Sequence, residues 1–149
     1  STNMGEFSIA IDQESAPVAA NNFVFFARNL YFDDTECHRI ISNFVVQCGD
    51  PTATGTGGPG YTIVDEPPAP GEYQIGSIAM ANSGPDTNGS QFFIITGESG
   101  AQLPPAYSLF GQVVKGLDVV DAMQSVPTGG GDKPKTDVVI NSVAITAAD

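Results

Sequence analysis

One arginine stands out among residue types that could do chemistry. Arg39 sits in the apolar, strand-like run Cys37-His38-Arg39-Ile40-Ile41, in a chain with only 5 basic residues. A guanidinium there either snorkels to water or is held in a polar network, as a permanently charged fork of five donors beside apolar groups. Phe44, Phe92, Phe93 and Tyr107 offer aromatic surface, although most aromatics in strands are core. Nothing forms a nucleophile constellation: there is one His, no GxSxG elbow, and neither cysteine has a base other than the adjacent His38. An enzyme built from these residues would work without covalent catalysis.

Other motifs have plainer readings. Cys37, His38 and Cys48 do not suit zinc, because adjacent strand residues point to opposite faces and Glu36 and Asp50 add no typical ligand spacing. No metal or other cofactor is expected. Cys37 and Cys48 could instead pair across a hairpin, or stay as two separate buried thiols. If Arg39 and Gln47 share a face, Cys37 shares it and Cys48 does not, so a disulfide demands a bulge. Gly55-Thr56-Gly57-Gly58-Pro59-Gly60 matches the dinucleotide pattern GxGxxG. The strand-like Tyr61-Thr62-Ile63-Val64 follows it, where a helix N-terminus would be needed. Asn88-Gly89-Ser90 satisfies the glycosylation sequon but reads first as a turn.

The elements that must position these residues are short. Phe7, Ile9 and Ile11 alternate with Ser8 and Ala10, which predicts a half-buried strand. Ser15 as a cap and Pro17 in the first turn predict a helix carrying Phe23, Phe26, Ala27 and Leu30 on one face. Thr35–Ile41 and Phe44–Cys48 read as a hairpin turning at Ser42-Asn43. Residues 51–72 hold five Gly and five Pro, a long loop of functional kind. Strands follow at Ser77–Ala81, Gln91–Thr96 and Tyr107–Val114, then a short helix over Gly116–Gln124 with Leu117, Val120 and Met123 on one side. A loop spans Val126–Pro134, and a last strand lies near Asp137–Ile145. This spacing favours a sandwich or a closed barrel plugged by two helices.

The 149 residues suit a single domain, spanning 1–149. With 17 acidic residues the net charge is -12, which disfavours nucleic acid and anionic membrane surfaces as partners. No apolar run approaches the roughly 20 residues of a membrane-spanning helix. The sequence opens on Ser1 without a signal-like stretch and is read as a processed or trimmed form, with any targeting segment outside it. It leaves the compartment undetermined; an extracytoplasmic one follows only if the cysteines pair.

Residues 37–50 (Cys-His-Arg-Ile-Ile-Ser-Asn-Phe-Val-Val-Gln-Cys-Gly-Asp), 55–58 (Gly-Thr-Gly-Gly), Met80 to Ile94, Leu109 to Val113 and Gly116 to Val120 resemble the cyclophilin family, bacterial single-domain type, over nearly the whole chain. The resemblance implies a mainly β fold, a closed eight-stranded antiparallel barrel capped by two α-helices. It implies peptidyl-prolyl cis-trans isomerase activity on proline-containing segments of client proteins; a non-catalytic proline-binding module on the same barrel is the alternative. Arg39 matches the family's catalytic arginine, with Phe44 and Gln47 beside it. Phe44, Val45, Phe93, Leu103 and Tyr107 would line the proline pocket, and Gln47, Ala81, Asn82 and Gln91 would contact the substrate backbone. Phe44 and Gln47 can share a face only if the strand begins irregularly near Val45. Gln102 stands where many members carry tryptophan, which implies weak cyclosporin binding, and Tyr107 stands where histidine is frequent. Cys37 and Cys48 replace an aromatic residue and a glycine, a joint change that favours their pairing. A monomer is the simplest expectation.

Overall fold

The computed structural model describes residues 1–147. Its strands are β1 (Ser8–Ile11), β2 (Thr35–Glu36), β3 (Arg39–Ile41), β4 (Val45–Cys48), β5 (Ser77–Met80), β6 (Phe92–Ile95), β7 (Leu109–Lys115) and β8 (Val139–Ile140). Its helices are α1 (Pro17–Arg28), the single turn α2 (Glu98–Ala101) and α3 (Leu117–Gln124), with a 3₁₀ turn at Gly130–Asp132. Six strands pair antiparallel in the order β1-β7-β5-β6-β4-β3, and β2 pairs with β8. Among the described residues the ladders form a six-stranded and a two-stranded sheet, and three helices accompany them where two were expected.

The central strands β5 and β6 are buried along their whole length because the six-stranded sheet has an apolar layer on each face. Ile40, Val46, Ile78, Met80, Phe92 and Ile94 face α1 and pack with its Phe23 and Phe26, forming the main core. Val45, Ala79, Phe93 and Ile95 face the other way, into a smaller cluster with Tyr73, Leu103 and Tyr107. Side chains alternate across a strand, so this second face also receives Arg39 and Gln47.

Local signals were overruled in several places. Ser15 does not cap α1: the cap residue is Ala16, whose side chain has no oxygen to offer. Glu66, far along the chain, accepts from the amides of Val18 (3.1 Å) and Ala19 (2.8 Å) instead. Leu30 lies past the helix in the left-handed region, φ 59°, and is exposed. The run Thr35–Ile41 is not one strand: it breaks at Cys37-His38, where Cys37 donates to Val138, and its halves join different sheets. Tyr61–Val64 makes only an isolated bridge between Ile63 and Asn88, and the last strand shrinks to β8. Gly116 starts α3 at φ 83°, where a Cβ would strike the backbone of Glu6 and Phe7.

Candidate active site

Strand register builds the site. Arg39 lies opposite Gln47 across β3–β4, Gln47 opposite Phe93 across β4–β6, and Phe93 opposite Ala79 across β6–β5. This row places a cation, an amide and an aromatic ring side by side on one face of the sheet. Asn43 turns the hairpin at φ 62°, and β4 begins at Val45, leaving Phe44 in the turn. That irregular start lets Phe44 and Gln47 face the same space, as their spacing of three requires. It also removes the parity objection to the cysteines, because Cys37 precedes β3 and is free of its alternation. The structure closes a Cys37–Cys48 disulfide, with Cα atoms 4.0 Å apart and both residues buried.

Nine of the residues singled out from sequence converge on one cavity of 120 Å³: Arg39, Phe44, Val45, Gln47, Ala81, Asn82, Phe93, Leu103 and Tyr107. The tenth, Gln91, joins Gln47, Ala81 and Asn82 in the wall of a larger neighbouring groove of 830 Å³, formed with residues 55–62. Gln102 is exposed at the end of α2 and lines neither. Phe93 meets Tyr107 edge-on, ring centroids 5.3 Å apart, giving the cavity a rigid aromatic corner.

The polar side of the site is a chain of hydrogen bonds. Arg39 Nη1 donates to Gln47 Oε1 (3.2 Å), and Gln47 Nε2 donates to Gln91 Oε1 (2.8 Å). Gln91 Nε2 donates to the carbonyls of Gly55 (3.0 Å) and Gly57 (3.1 Å). Lys133–Glu36 is the ion pair found among the described residues, so no carboxylate there neutralises the Arg39 charge. Its field is thus available at the cavity rim. The Asn82 side chain is occupied, donating to the Ala106 carbonyl (2.9 Å) and accepting from the Gly84 amide.

Two supporting residues escaped the sequence reading. The Tyr73 hydroxyl donates to the Tyr107 carbonyl (2.5 Å) and accepts from the Tyr107 amide (3.1 Å), clamping the residue whose ring closes the cavity. Burial pushes the Tyr73 phenol up to about 12. Nothing in the sequence around Tyr73 distinguishes it. Asp50 is fully buried and gathers the loop that forms the groove. Burial alone would raise its carboxyl, but hydrogen bonds from Thr52, Gly57 and Gly55 prevail and hold it at about 2. A carboxylate followed by alternating Thr and Gly is the signal that could have revealed it. The sequon's Asn88 is fully buried, with its amide nitrogen donating to Asp65 (3.0 Å), so it serves the fold.

The groove and the smaller notch share Gln47, Ala81 and Asn82, and the notch sets an aromatic corner beside an unneutralised cation. The chain belongs to the cyclophilin-type peptidyl-prolyl cis-trans isomerases: the model of that family, "Cyclophilin type peptidyl-prolyl cis-trans isomerase/CLD", matches residues 1–145. It is 39% identical to the peptidyl-prolyl cis-trans isomerase-like 3 protein of Dictyostelium discoideum, over 98% of this chain and 92% of that protein. It is also 39% identical to the probable peptidyl-prolyl cis-trans isomerase B of Mycobacterium leprae, covering 97% of this chain but 55% of that longer protein. A Cryptosporidium parvum cyclophilin crystallised in the presence of the dipeptide Ala-Pro superposes with a TM-score of 0.91 at 33% identity, covering 99% of this chain and 96% of the other. The activity is peptidyl-prolyl cis-trans isomerisation.

Proposed function

We propose that the 120 Å³ cavity takes the proline ring of a flexible client segment and that Arg39 is the catalytic cation. The volume equals about four waters' share of liquid, the scale of one five-membered ring. An Xaa-Pro bond is planar by resonance, with a rotation barrier of about 20 kcal/mol and spontaneous exchange over tens to hundreds of seconds. Twisting it breaks that resonance and returns a lone pair to the prolyl nitrogen. A guanidinium donating to that nitrogen, or to the rotating carbonyl, binds the twisted state more strongly than either planar state. No covalent bond is made or broken.

Phe44, Val45, Phe93, Leu103 and Tyr107 grip the ring, while Gln47, Gln91, Ala81 and the backbone of Asn82 hold one side of the peptide so that the other turns. Fixing one side is what makes the twist productive. The observation carrying this reading is the register row Arg39–Gln47–Phe93, which sets charge and apolar floor against one notch. Gln102, exposed where a tryptophan would add an apolar wall, supports weak cyclosporin binding. A monomer is retained as the working form. We also infer that the two sheets curl into a barrel. Thr2 bridges Ile140, Asn3 donates to Val139 and Asn141 to Ser1, so the segment before β1 lies along β8, and β2 runs on into β3.

The test is cis/trans exchange of an Ala-Pro-Phe type peptide by NMR exchange spectroscopy. Arg39→Ala is expected to slow catalysed exchange about 100- to 1,000-fold, the cost of losing one preorganised donor. Peptide line broadening without accelerated exchange in either protein would make this a proline-binding module instead.

A further inference from the structure

Asp50 lies beyond contact with the cavity, yet it holds the loop whose carbonyls begin the hydrogen-bond chain that ends at Arg39. Its Oδ1 accepts from the Thr52 amide (2.8 Å) and hydroxyl (2.7 Å). Its Oδ2 accepts from the amides of Thr54 (3.2 Å), Gly55 (2.7 Å) and Gly57 (3.1 Å). A buried carboxylate only accepts, so it turns these N–H groups inward. The carbonyls of Gly55 and Gly57 then both receive Gln91 Nε2. Gln91 must present Nε2 to two acceptors and is left with Oε1 toward Gln47. Gln47 must then donate through Nε2, which leaves its own Oε1 to accept from Arg39.

A side-chain amide has one donor end and one acceptor end. Fixing the sense of the first therefore fixes every later one. Reversed, Gln47 would present an N–H to a guanidinium that has only donors, and Arg39 would lose its partner. The loop tolerates nothing bulkier at Gly57, where a Cβ would collide with Asp50 Oδ1. We infer that Asp50 is a positioning residue: by gathering the amides of the loop it holds the Gly55 and Gly57 carbonyls toward Gln91, and these acceptors set the direction of the Gln91–Gln47 relay and so the aim of Arg39. This rests on Arg39 being the catalytic cation.

The experiment compares wild type, Asp50→Asn, Gln91→Leu and the double variant. It reads kcat and KM for the Ala-Pro-Phe peptide by NMR and the ¹⁵N shifts of the Arg39 guanidinium and Gln47 side-chain amide. Asp50→Asn brings an NH₂ among five donors. It is expected to lower kcat about tenfold, change KM less than twofold, and move both sets of resonances. Gln91, half-buried at the groove, can be changed without disturbing the core, so Gln91→Leu reports even if Asp50→Asn does not fold. It is expected to move the same resonances and lower kcat, and the double variant should be no slower than the slower single one. Effects that multiply would overturn the relay, as would a Gln91→Leu protein with wild-type kcat and unmoved Arg39 resonances. Arg39→Ala separates the two readings: if it leaves exchange fast, the assignment of Arg39 fails. If it abolishes exchange while the relay variants are silent, only the relay fails.

Discussion

Reducing the Cys37–Cys48 bridge should lower stability without dismantling the site. The bond joins residues 11 apart, so it restricts a short loop of the unfolded chain. Chain-entropy scaling for that length gives about 3 kcal/mol at 25 °C. For a domain of this size each kcal/mol moves the midpoint by about 2–4 °C, so a loss of about 6–12 °C is expected. The comparison is thermal unfolding, followed by circular dichroism, of the oxidised protein against Cys37→Ala/Cys48→Ala. Alanine is the suitable replacement because both sites are 1% exposed, and serine would bury an unpaired hydroxyl. Thiol labelling in denaturant without reductant should first count no free sulfhydryl. Catalysis at low temperature should persist, because Arg39 is held opposite Gln47 by the β3–β4 ladder and not by the sulfurs. A midpoint within about 2 °C of the oxidised protein would contradict a stabilising bridge, as would two reactive thiols in the labelling.

Tyr73→Phe removes the hydroxyl that both donates to and accepts from the Tyr107 backbone. Leaving that part-buried carbonyl and amide without their partner should cost about 1–3 kcal/mol, and loosening of the cavity corner should raise KM more than it lowers kcat; urea unfolding and peptide kinetics check the two parts. Asp50 ionises at about 2 in the folded protein against 3.8 ordinarily. A depressed carboxyl contributes stability that is complete above the unfolded value and is lost as pH falls through the folded one. Urea unfolding between pH 5 and pH 2 should therefore show a loss of about 2 kcal/mol that Asp50→Asn lacks. Parallel wild-type and variant curves across that window would contradict it.

Periodicity made most elements legible. Alternation marked β1, short strand-like runs between turn clusters marked β5, β6 and β7 within a residue or two, and the 3.6-residue spacing of Phe23, Phe26 and Ala27 marked α1. The opposed pair Arg39 and Gln47 followed from the hairpin, although the residue roles around them came from the family resemblance. What stayed hidden was set by distant partners. Ser15 had the right chemistry for a cap and lost to a carboxylate from another part of the chain. The break at Cys37-His38 has no local breaker residue; it arises because Thr35–Glu36 pairs with β8 and Arg39–Ile41 with β4. The turn α2 is too short for a periodic signal. Tyr73 acts through backbone atoms of Tyr107, and backbone partners leave no trace in side-chain patterns.

The borrowed cap of α1 has a bearing on the order in which the chain acquires its shape. The helix depends for its first-turn acceptor on a carboxylate 47–48 residues downstream. During synthesis, at roughly 5–20 residues per second, that carboxylate emerges about 2–10 s after the helix does. Until then α1 is a twelve-residue segment with free leading amides, a length at which isolated helices are marginal in water. The leading amides of the helix thus gain their side-chain acceptor only when the proline-rich loop docks, and the loop that shapes the groove also caps the first helix to be made.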